Sequence, residues 1–92
     1  MVVKYTKNFL DKLENLFASS SYHLRYEKGN FKSGYCLLRD TKVVIINKYF
    51  PLEGKINALI DILAELDFDP KEFKEKANQD FLSELRQTTL RF

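Results

Sequence analysis

Apolar positions recur along this chain at two spacings, and each spacing predicts a different kind of element. Phe9, Leu10, Leu13, Leu16 and Phe17 fall at i, i+1, i+4, i+7 and i+8. That places them on one helical face and predicts a helix over residues 6–18. Thr6 is positioned to cap its first turn. The serines at 19–21 end it, because their hydroxyls compete for backbone hydrogen bonds.

The pattern then changes to a period of two. Tyr22, Leu24 and Tyr26 alternate with His23, Arg25 and Glu27, as in a strand with one wet face. "KGNFK" follows as a turn, with Gly29 and Asn30 tolerating positive φ. "SGYCLLR" reads as a second strand, "DTK" as another turn and "VVIIN" as a β-branched third strand. Short connections favour antiparallel neighbours, so the three strands are expected to form an antiparallel β-meander. The third strand is apolar on both faces, with Val43 and Ile45 on one and Val44 and Ile46 on the other. A half-exposed strand would alternate, so a helix, a loop or another subunit is expected over its second face.

Helical spacing returns with Leu52, Ile56, Leu59, Ile60, Leu63 and Leu66, a wide apolar stripe over residues 52–66. Pro51 suits its first turn, and Gly54 costs it about 1 kcal/mol relative to Ala. Asp69, Pro70 and Glu72 make a capping-box start to the C-terminal part. There Phe73, Ala77, Phe81, Leu82 and Leu85 fit either one helix to about residue 87 or two with a break near Asn78. The expected architecture is α+β in a single domain over 1–92: a helix, the meander, then two or three helices packed on the sheet.

Composition narrows this picture mainly by exclusion. The 92 residues are 45% hydrophobic and 30% charged, with three Gly and two Pro, a globular rather than a disordered profile. The formal charge of +2 neither requires nor excludes a nucleic-acid partner. Cys36 is the single cysteine, so no intrachain disulfide forms and a reducing cytoplasm is the expected compartment. The opening "MVVKYTKN" lacks the apolar run of a signal peptide. The longest aliphatic run, 43–46, is too short to span a membrane.

The second long helix carries the sharpest chemical question. Asn57, Asp61 and Glu65 line up at i, i+4 and i+8 opposite its apolar stripe. Two carboxylates without His or Cys make a poor zinc site, and a hard cation needs oxygens from further segments. A solvated helix face is the plainer reading; a carboxylate–metal hydrolase is the alternative.

The run "GYCLLRDTKVVIINKYFPLEGKINALIDILAEL", residues 34–66, resembles the core of zincin-like metallopeptidases of the ImmA/IrrE type in its order of strand, Pro/Glu-containing turn and helix. In that family the helix carries His-Glu-x-x-His, two zinc ligands and a general base. Laid on this chain, the histidine positions fall at Asp61 and Glu65 and the base position at Ile62. The resemblance therefore implies a bacterial, cytoplasmic, metal-free relative of the scaffold that has lost the peptidase chemistry.

Two other places hold chemistry. His23 and Cys36 would be diagonal neighbours in a hairpin that sets residue 25 against residue 36, the geometry a nucleophile–base pair needs. A buried thiol and a surface histidine are the plainer assignment. Arg25, Lys28, Phe31, Lys32 and Tyr35 mix cations and aromatics around the first hairpin and form the candidate binding surface, with phosphate contacts and base stacking as its chemistry. No Walker, Gly-x-Gly-x-x-Gly, Cys-x-x-Cys or serine-elbow pattern is present, and no cofactor is implied. The expected function is a non-enzymatic protein-interaction or self-associating module. Its partner would be another protein, or a second copy meeting an open edge of the third strand. A nucleic-acid-binding or regulatory role for the first hairpin is the alternative.

Overall fold

A computed structural model describes residues 3–28 and 35–88. Helix α1 (Lys7–Ser19) starts where Thr6 Oγ1 accepts the Phe9 N–H at 3.1 Å. It ends where both the backbone N–H and the hydroxyl of Ser20 donate to the Phe17 carbonyl. All five stripe residues are buried. Helix α2 (Leu52–Leu66) covers the expected span. Asp67 closes it in the left-handed region at φ 51° and donates its N–H to the Leu63 carbonyl. That conformation is unfavourable for a residue with a Cβ; Arg86 from the last helix bonds the Asp67 carboxylate at 2.9 Å and also donates to the Phe68 carbonyl. The Gly54 backbone lies under the Phe50 ring, where an added Cβ would stand 3.0 Å from Phe50 Cδ2.

The capping-box stretch starts a single 3-10 turn, Pro70–Glu72, with the Asp69 carboxylate accepting the Lys71 N–H. Helix α3 (Lys76–Thr88) begins only after an extended Phe73. The break lets Phe73 turn inward, where its ring meets Phe68 edge-on at 5.8 Å. Phe68 in turn touches Phe17 and Tyr22, and Phe81 of α3 packs edge-on against Phe9. Buried side chains from all three helices and the sheet form one contiguous cluster.

The sheet departs from the expected meander. Strands β1 (His23–Glu27), β2 (Tyr35–Leu38) and β3 (Val43–Asn47) lie in the order β1-β3-β2. β1 pairs with β3 in parallel and β2 pairs with β3 in antiparallel fashion. Only β2 and β3 form a hairpin, turning through residues 39–42 with Lys42 at φ 55°. Chain reach permits the step past β3: seven residues separate β1 from β2, enough for about 23 Å, against about 10 Å for two strand spacings. Side-chain chemistry favours it, because a strand apolar on both faces belongs in the middle, whereas the charged alternation of β1 suits an edge. β3 therefore has no open edge, and the expected pairing of two copies along the third strand has no place to occur. Among the described residues, the open edges belong to β1 and β2.

Alternation sorts the sheet into two faces. Leu24, Tyr26, Val44, Ile46, Tyr35 and Leu37 point toward the helices and pack on or within the core. The opposite face carries two rows, His23–Val43–Leu38 and Arg25–Ile45–Cys36, beside Glu27 and Asn47. None of these eight residues is buried. Among the described residues, no helix is long and apolar enough to cross a membrane.

Candidate functional site

The strand order disperses the candidate binding surface. Arg25 is exposed on the open face and bonds Glu27 Oε1 at 3.0 Å. Lys28 is exposed just beyond β1. Tyr35 aligns with Ile46, and Arg25 aligns with Ile45 across the same strand, so Arg25 and Tyr35 belong to opposite faces. Burial first, and then the Glu65 and Asp61 carboxylates, raise the Tyr35 hydroxyl above its ordinary pKa. Phe31 and Lys32 lie outside the described residues. Because β3 separates β1 from β2, the first two strands do not form the hairpin on which a shared surface was expected.

The same separation removes the proposed dyad. His23 and Cys36 lie on one face but on strands two positions apart, in different rows, with Val43 and Ile45 between them. Two strand spacings alone put about 10 Å between the backbones, beyond reach of a hydrogen bond from thiol to imidazole.

On α2 the polar flank is tied into the protein. Tyr5 donates to Asn57 Oδ1 at 3.0 Å. Arg39, in the turn between β2 and β3, donates to Glu65 Oε1 at 3.3 Å. Asp61 is exposed between them, and Ile62 is completely buried in the core. Among the described residues, no three His, Cys, Asp or Glu side chains converge on a point where a metal ion could sit. The flank thus anchors the N-terminal segment and the β-turn to α2.

Two concavities stand out among the described residues. A trough of about 560 Å³ between α1 and α3 is lined by Lys12, Asn78, Phe81 and the acids Glu75, Asp80 and Glu84. Asn78 on its floor donates to Ser19 Oγ at 3.1 Å, a bond that joins the two helices. A second groove, about 430 Å³, runs along the free side of β1 and is lined by Glu14, Ala18, Ser20, Tyr22, Leu24 and Tyr26. Tyr26 donates its hydroxyl to Glu14 there, and the Lys55 ammonium sits 5.3 Å from its ring centre. Burial, the bond to Glu14 and the nearby carboxylates of Glu14 and Asp11 raise the Tyr26 pKa, so the hydroxyl stays protonated well into the alkaline range.

The feature missed from the sequence is the open sheet face itself. Its signal was present in Val43 and Ile45, but which neighbours would flank them depended on strand order. Comparison of the chain with protein-family models, curated proteins and solved structures finds no match. The class defined here is accordingly structural: a small α+β domain with a three-stranded mixed sheet covered by helices on one side.

Proposed function

We propose that this chain is a non-enzymatic protein-interaction module that docks through the sheet face its helices leave open. One observation carries the reading. Val43, Ile45, Cys36 and Leu38 make an apolar centre on that face, with Leu38 42% exposed, and His23, Arg25 and Glu27 run along one side. An apolar centre with a charged border is the usual anatomy of a protein-binding patch. Strand backbones hold the face rigid, so docking loses little conformational entropy.

On the resemblance drawn from residues 34–66, the scaffold is a zincin-like one without metal chemistry. The lack of metal chemistry is argued from α2: Asp61 and Glu65 stand at the histidine positions, Glu65 is held by Arg39, and a buried Ile62 stands at the base position.

Photo-crosslinking amino acids placed singly at Ile45, Leu38 and Asp11 test the reading in the cells that express the protein. Ile45 and Leu38 are expected to give discrete protein adducts, and Asp11, exposed on α1, none. Equal labelling from all three positions would overturn it.

A further inference from the structure

Among the described residues, no strand pairs with the outer edge of β1. His23 donates its N–H to the Lys42 carbonyl at 2.8 Å, and Glu27 accepts from the Lys48 N–H at 3.0 Å. In a parallel pair, alternate residues face the neighbouring strand. His23, Arg25 and Glu27 therefore bond β3, and the N–H and C=O groups of Leu24 and Tyr26 point outward. The groove beside them lies along this edge, between β1 and α1. No described residue supplies a backbone partner for Leu24 or Tyr26 on that side.

We infer that a second copy of this chain pairs along β1, antiparallel across a two-fold axis at Tyr26, so that Arg25 of each copy faces Glu27 of the other. Charge distinguishes this register from the other two that also bring the outward-facing backbone groups together. Centring the axis on Leu24 sets His23 against Arg25, with no attraction. Centring it on Arg25 sets two guanidinium groups against each other, which is repulsive, and opposes each Glu27 to a His23, so it makes no carboxylate–guanidinium pair. Centring it on Tyr26 makes two Arg25–Glu27 pairs, and these occupy non-hydrogen-bonded positions, where cross-strand side chains approach most closely. The existing Arg25–Glu27 bond within each copy then becomes part of a four-charge ring.

The open face of one copy measures roughly 14 by 17 Å from strand spacing and rise, well under the ~800 Å² per partner of a standard interface. Edge pairing joins two three-stranded sheets into one of six and doubles that face to roughly 480 Å², still short of that size. The inference goes beyond the proposed docking role, because it assigns a partner to the edge of the sheet rather than to its open face.

Sedimentation equilibrium of the whole chain from low micromolar to millimolar concentration tests it, with circular dichroism confirming that each variant is folded. The wild-type chain is expected to dimerise. Arg25→Glu alone and Glu27→Arg alone should each weaken dimerisation about tenfold, since each turns two attractive pairs repulsive. The double variant Arg25→Glu/Glu27→Arg should restore it, and an equimolar mixture of the two single variants should form heterodimers. A strict monomer at millimolar concentration overturns the inference, as does a dimer indifferent to these reversals or one the double variant fails to rescue. A dimer abolished by Ile45→Lys and unmoved by the charge reversals also overturns it, in favour of face-to-face packing. The two readings fail separately: loss of edge pairing leaves adducts from Ile45 intact, and loss of the docking face leaves the charge-reversal pattern intact.

Discussion

Val44 and Ile46 have no exposed surface, whereas Val43 and Ile45, the same residue types on the same five-residue strand, remain partly exposed. The two pairs differ only in the side of the sheet to which they point. Toward the helices, each apolar group is surrounded and contributes its full transfer free energy, together with dispersion contacts that water cannot replace. On the other side, flanking strands shield the same groups only at their edges. One face of β3 therefore holds the fold together, and the other keeps hydrophobic surface available for binding.

Truncation should separate the two faces most strongly. Ile46→Ala should cost about 2–5 kcal/mol of unfolding free energy, the range for a buried site that leaves a cavity, and Ile45→Ala about 1 kcal/mol or less. Urea titrations of both variants measure the gap, and equal losses would show that the open face is covered. Thiol accessibility should give a contrast of similar size. Cys36 on the open face should react with a disulfide reagent in the native protein. A cysteine at position 44, introduced with Cys36→Ala, should be protected about 1,000-fold or more, because it is exposed only by unfolding.

Tyr26 and Arg25 extend the comparison to β1. Tyr26 faces the helices, and its pKa is raised in the folded state, so the folded protein retains a proton that the unfolded chain releases above the ordinary tyrosine value of 10. Its contribution to stability is complete below pH 10 and is lost as pH rises beyond it. Tyr26→Phe should cost about 1 kcal/mol at neutral pH through the bond to Glu14 and should flatten the decline in stability above pH 10, as read by denaturant midpoints across pH. The smallest effect belongs to the border of the sheet. Arg39 and Glu65 are both about half exposed, so a double-mutant cycle on them should return about 0.2–1 kcal/mol, diminishing with salt.

Much of the fold was legible in the chain because it depended on local periodicity. The stripe from Phe9 to Phe17 and the wider one from Leu52 to Leu66 each need a single amphipathic surface, and any compact partner buries them. Thr6 and Asp69 were legible as caps because a side-chain oxygen satisfies a backbone N–H within three residues. The break before α3 was only half legible: Asp69 and Pro70 marked a start, but the inward demand on Phe73 came from Phe68, whose ring in turn touches Phe17 and Tyr22. The candidate surface around Arg25 and Tyr35 was less legible still. Its unity assumed that strands consecutive in sequence are neighbours in space, and seven intervening residues leave that choice open.

By itself, then, the sequence determined most of the elements: where α1, α2 and the three strands run, which flank of α1 and α2 is apolar, and that Val43 to Ile46 form a strand apolar on both faces, while the start of α3 at Lys76, ahead of the break expected near Asn78, was not determined. Those are short-range properties, settled by rotation per residue and by capping groups close in the chain. Only the tertiary structure decided that β3 lies between β1 and β2, that β1 runs parallel to it, and that the helices gather on one side. These outcomes depend on long-range competition for the central position in the sheet, which went to the strand able to satisfy apolar neighbours on both faces. The open face and the free edge of β1 are what that competition left exposed.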